Sequence, residues 1–292
     1  MKLRLLALAA LATVGTAPAH AAATSSASFT DITFELIDLN PADMLAPTIT
    51  FVTDPGAASY VHAEVSVFDP DNGTDGANLT KTGVRSTTSK STNVNYGSAL
   101  ACASVTGGNT TTLSGEGEYT SVISAMSASG GSGSPSAGGN ASYNATAQLP
   151  YGWWSQNFFL GNNTALLITA NATVSAENTV GFDGVYSESA YSSLSLSISG
   201  AGPTGSGSQS FSDGISTGIW GWAGTDTQNR TMAAAFLNTS GGDLFGTLSM
   251  QASVSGSSSV VSTPVPEPET YAMMLAGLGA LGFIGRRRKQ QK

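Results

Sequence analysis

Tyr60-Val61-His62-Ala63-Glu64-Val65-Ser66-Val67 alternates without a break: Val61, Ala63, Val65 and Val67 are apolar, and the residues between them are polar or amphipathic. Successive side chains on a β-strand point to opposite faces, so this segment reads as a half-buried strand with one face on a core and one on water. The same period returns in Ile32, Phe34 and Leu36, in Leu166, Ile168, Ala170, Ala172 and Val174, and in Leu194, Leu196 and Ile198 set among serines. Leu244, Leu248, Met250, Ala252 and Val254 continue it. About nine or ten such runs predict an all-β fold, an antiparallel β-sandwich of two facing sheets.

The segments between the runs are rich in turn formers. Asn238-Thr239-Ser240-Gly241-Gly242-Asp243 reads as a hairpin loop. Ser129 to Pro135 and Gly200 to Ser210 read as long flexible loops, and Ser255 to Thr263 as a tether.

Composition narrows the chemistry. The 292 residues include 41 Ser, 33 Thr and 35 Gly, against only 11 Lys or Arg and 19 Asp or Glu. Between the ends lie four bases, Lys81, Arg85, Lys90 and Arg230, and 17 carboxylates, so the body carries about −13. Such a field repels phosphate backbones and excludes nucleic-acid partners. Cys102 has no second cysteine, so no intrachain disulfide forms, and its small apolar neighbours predict a buried, inert thiol. Two histidines and one cysteine rule out a Cys- or His-rich metal centre, and no cofactor motif is present.

The two ends read as addresses. Lys2 and Arg4 precede the apolar run Leu5 to Val14, and Ala19-His20-Ala21 supplies an A-x-A site. This is the order of a cleavable secretory signal, residues 1–23, with the cut expected after Ala21 or Ala23. The body then spans 24–263, and the tail 264–292.

The tail has three parts. Val265-Pro266-Glu267-Pro268-Glu269 is stiff and incompatible with helix. Thr270 to Gly285 carries no charge, and Arg286-Arg287-Arg288-Lys289 stops the run. As a helix these sixteen residues span about 24 Å, which snorkelling arginines and Tyr271 can extend across a hydrocarbon core. The clustered bases stay cytoplasmic and leave the body on the far side of the membrane.

Pro266-Glu267-Pro268, the run Tyr271 to Gly279, Phe283 and the arginines together resemble the PEP-CTERM sorting signal, a tail also named for ice-binding proteins. The resemblance implies a bacterial substrate of a membrane-embedded exosortase, held by a single C-terminal transmembrane helix in the inner membrane with its body in the periplasm. It also implies onward passage to the cell surface or an exopolysaccharide matrix.

Inside the body the candidate sites are sparse. Asp69, Asp71 and Asp75 are a weak calcium candidate; Thr82 stands where a bidentate acid is expected, and an acidic surface turn fits better. Trp153, Trp220 and Trp222 can stack on sugars if exposed, although tryptophan favours burial and a place in the core is the expectation. Gly214-Ile215-Ser216-Thr217-Gly218 matches a hydrolase elbow, yet no histidine follows it. The sequence therefore predicts a non-enzymatic, exopolysaccharide-associated surface protein. A carbohydrate- or ice-binding module is the alternative, and a polysaccharide hydrolase comes third.

Overall fold

In a computed structural model the alternating runs become strands; the structure describes residues 22–52, 59–70, 73–83, 90–107, 112–133, 138–149 and 156–260. Sixteen strands follow one another among the described residues. They are β1 (Ala22–Asp38), β2 (Thr48–Phe51), β3 (Ser59–Asp69), β4 (Gly73–Gly83), β5 (Lys90–Tyr96), β6 (Ala99–Gly107), β7 (Thr112–Ser114) and β8 (Gly117–Tyr119). The series continues with β9 (Ile123–Gly133), β10 (Asn140–Leu149), β11 (Gln156–Leu160), β12 (Thr164–Gly181), β13 (Tyr186–Ala201), β14 (Ser208–Trp220), β15 (Trp222–Asn238) and β16 (Leu244–Val260).

Every pairing is antiparallel. The first sheet runs β15-β12-β1-β9-β6-β5, with β8 on the C-terminal half of β1. In the second sheet β16 is central. One edge of it pairs with β13, which pairs with β14. Its other edge is shared, β10-β3-β4 along Met250–Ser259 and β11-β2-β7 along Leu244–Leu248. The sheets face each other, β1 over β16, β12 over β13 and β9 over β10, and share one core. The inward residues of every predicted run lie in it, and Phe34, Phe51, Phe158 and Phe236 form a chain of edge-to-face rings there.

One strand needs a device the sequence does not announce. Phe29 and Ile32 are both fully buried although their spacing puts them on opposite faces of a regular strand. A bulge between Thr30 and Thr33 resolves this, with Asp31 in the left-handed region at φ 53°. The extra residue flips the alternation, so odd positions point inward before it and even positions after it.

Several composition-based boundaries are corrected. Asn238–Asp243 is not a hairpin loop: it carries the chain from β15 in the first sheet to β16 in the second. Asn238 fastens this crossover by donating to the carbonyls of Leu160, Gly161 and Gly242 at 2.8–2.9 Å. Ser129–Gly133 belongs to β9, and Ser255–Val260 to β16, rather than to a loop and a tether. Short strands such as β2, β7, β8 and β11 contribute to a count of sixteen where nine or ten were expected. The glycines in these stretches make room for rings. Gly130 on β9 and Gly256 on β16 both lie against Tyr143, and a methyl at either would overlap its ring or hydroxyl.

The first described strand, β1, begins at Ala22. Ala23 pairs with Asn178 near the end of β12, Val260 pairs with Tyr186 at the start of β13, and residues 182–185 join those strands. The first and last described residues therefore lie at one end of the sandwich. Residues 262–292 form a separate unit. Residues 1–21 of the expected signal (1–23), the Pro266-Glu267-Pro268 segment, the apolar run and Arg286–Lys289 lie outside the described residues. No helix among the described residues is long and apolar enough to cross a membrane.

Candidate functional site

The alternation that fills the core also fixes what faces outward. On the second sheet Ser189, Ser193 and Ser199 of β13 stand opposite Ser257, Ser253 and Thr247 of β16, and each pair is joined hydroxyl to hydroxyl at 2.8–3.0 Å. Further serines, Thr146 and Asn144 continue the rows across β10. The first sheet does the same through Ser104 with Ser127 and Ser175 with Thr227. Each hydroxyl both donates and accepts, so these rows can hydrogen-bond in either sense.

A depression lies on the second sheet's face. About 420 Å³ in volume, it is lined by Glu64 and Ser66 of β3, Ser142 and Asn144 of β10, Ser189 of β13, and Ser255 and Ser257 of β16. Gly256 and Tyr143 complete the lining. Tyr143 spans the core to Ser25 of β1, 2.7 Å away, and burial pushes its phenol well above the ordinary value while that hydrogen bond lowers it.

Opposite Ser189, on β14, stands the exposed Trp220. Trp220 stacks on Tyr191 with centroids 6.1 Å apart and planes 25° from parallel, and its ring lies back over Gly218. It is 55% exposed and Trp222 59%, so the expected core placement of both is overturned. Gly221, at φ 74°, turns the chain between them and puts them on strands of different sheets, so they do not share a face. They escape the core because, among the described residues, β14 and β15 are the outermost strands of their sheets. Trp153 lies outside the described residues.

Under that turn is a buried polar knot. Glu188, 2% exposed, accepts from the Thr179 hydroxyl at 2.9 Å and from the Val180 and Gly181 amides at 2.8 and 3.0 Å. Asn178 donates to the carbonyls of Glu188, Ile219 and Trp222. Along the open side of the sandwich, polar clasps join β14 to β15: Arg230 to Asp213 and to the Gly214 carbonyl, and Thr217 to Asp226. Sequence reasoning missed all of these, since none forms a contiguous pattern.

The remaining described candidates are spread over β3, β4, β6 and β14. Asp75 accepts from the Tyr96 hydroxyl and the Gly76 amide, which hold its carboxyl below the ordinary 3.8. Asp69 lies on β3 and Asp71 outside the described residues. No group of three His, Cys, Asp or Glu able to hold a metal occurs among the described residues. Ser216 sits in mid-strand on β14 opposite Ser193, not at an elbow. It shares a transverse row with His62, four strand spacings or about 19 Å away, too far for proton transfer. His62 stacks on Tyr60 and lies 3.5 Å from Glu64. Cys102 is half-buried on the outer face opposite Ser129 rather than in the core, and partial burial raises its thiol pKa.

Residues 264–289 match the sequence pattern of the PEP-CTERM protein-sorting motif. No curated protein and no solved structure matches the chain.

Proposed function

We propose that this chain, whose residues 264–289 are a PEP-CTERM protein-sorting motif, is an exported substrate of an exosortase that ends at the cell surface or in an exopolysaccharide matrix. The motif is the observation that carries the reading. Around it we place a secretory signal ending at Ala21, a membrane span over Thr270–Gly285 and a cytoplasmic stop at Arg286–Lys289. The body is non-enzymatic and works by association, presenting two hydroxyl-faced sheets that hydrogen-bond to hydrated polymer as readily as to water. Replacing Glu267 by Ala removes the acid between the two prolines. In a bacterium that makes exosortase, the variant is expected to stay in the membrane fraction while the parent is released. Equal release of both contradicts the sorting reading.

A second reading, specific carbohydrate binding, is favoured by the exposure of Trp220 and its stacking on Tyr191. An indole left 55% exposed forgoes burial of its apolar face, which a sugar ring would cover. The two readings are compatible, since a matrix protein with a glycan-binding face is held by what it organises.

A further inference from the structure

We infer that the depression on the second sheet, with the Trp220–Tyr191 pair beside it in the strand register, binds a neutral polysaccharide of pyranose units laid across the strands. The inference rests on the carbohydrate-binding reading and gives it a site, a direction and a charge preference.

The direction comes from the register. Trp220, Ser189, Ser257, Ser142 and Ser66 fall in one transverse row, contributed by β14, β13, β16, β10 and β3 in turn. The next row holds Tyr191, Ser255, Asn144 and Glu64. Hydrogen-bonded strands repeat every 4.7–4.9 Å, close to the length of one pyranose unit, so a glycan crossing the strands meets one strand per sugar. From Trp220 to Ser66 is four such steps, about 19 Å, room for about four sugars. A first ring would lie on the free face of Trp220, whose other face rests on Tyr191 and Gly218. The following rings would enter the depression, where hydroxyls and one amide can donate and accept in either sense, as sugar hydroxyls require.

The charge preference comes from what lines the site. Glu64 is its one ionised group, and no Lys or Arg lines it among the described residues. A uronate or sulfate polymer would bring its charge against that carboxylate and a body of about −13. A neutral polymer pays no such penalty, and Glu64 can accept from its hydroxyls.

The test uses the purified full-length chain, titrated by calorimetry with neutral glucan hexasaccharides and with a polyuronate of matched length. Binding of the neutral oligomer is expected, weakened about tenfold by Trp220→Ala, in line with loss of one aromatic platform. Exposed Asn144→Ala should weaken it several-fold, which keeps the site testable if the tryptophan variant folds poorly. Trp222→Ala, on the other sheet, should match the parent. Neutral binding by the parent that Trp220→Ala and Asn144→Ala leave intact overturns the site while the carbohydrate-binding reading stands. Tighter binding of the polyuronate overturns the charge argument, and binding of neither polymer removes the inference together with the reading beneath it.

Discussion

Tyr143 shows how single residues decide this core. Its ring lies between two glycines, one from each sheet, and its hydroxyl reaches Ser25. In a chain with 35 glycines, Gly130 and Gly256 are easily taken for turn formers, yet both lie in strand interiors where only the missing Cβ admits the ring. Gly256→Ala should cost about 1–3 kcal/mol, because the added methyl meets both the Tyr143 hydroxyl and the Ser189 carbonyl. Urea unfolding of that variant measures it; an unchanged midpoint would mean that Tyr143 has another place to go. Gly241→Ala, with open space around it, is the control and should melt like the parent. Which glycines turn the chain and which make room was not legible in sequence, since both uses leave the same letter.

At the scale of elements, the strands were legible wherever apolar residues alternate, and illegible where small ones do. Val61–Val67 and Leu194–Ile198 read directly, whereas Ser255–Val260 has too little apolar area to announce a strand although Ser258 is fully buried and bonded to Ser132. The start of β1 sharpens the processing site. Ala23 is fully buried and paired on both sides, so a cut after it would strip a core residue, while a cut after Ala21 leaves β1 whole. N-terminal sequencing of the exported protein should therefore read Ala22-Ala23-Thr24; a start at Thr24 would show that the first rungs of β1 are dispensable. The β12–β13 connection offers a second test. Glu188→Ala would orphan the Val180 and Gly181 amides, at about 1–3 kcal/mol for each buried donor left unpaired. A thermal melt equal to the parent's would rule out a structural role for this knot.

The same connection carries part of the acid response. The Tyr186 and Val185 amides hold the Asp183 carboxyl below its ordinary 3.8. Asn163 and the Leu45 amide do the same for Asp43, as do Tyr96 and Gly76 for Asp75. A carboxylate depressed in the folded state stabilises it fully above the unfolded value, and that contribution fades as pH falls through the folded one. Stability should thus decline below about pH 4, and Asp183→Asn should flatten the slope in a urea-midpoint series. A parent curve flat down to pH 2 would contradict it.

Over the whole molecule, address and site differ in how they are written. The sorting tail is a contiguous string and was legible as one, proline, apolar run and bases in order. The candidate glycan site is assembled from β3, β10, β13, β14 and β16, residues 64 to 257, and only sheet order and register bring them into adjoining rows. Periodicity assigns a residue to a face but not to a neighbour, so the exposed tryptophans read as core until β14 and β15 proved to be edge strands. The measurement that reaches the central claim most directly is the intact mass of the protein recovered from the surface fraction of an exosortase-bearing bacterium. A released chain that begins at Ala22 and has lost residues 270–292 is the predicted result. A surface-fraction chain with the full 29.4 kDa mass of 292 residues, leader and tail both retained, would contradict it.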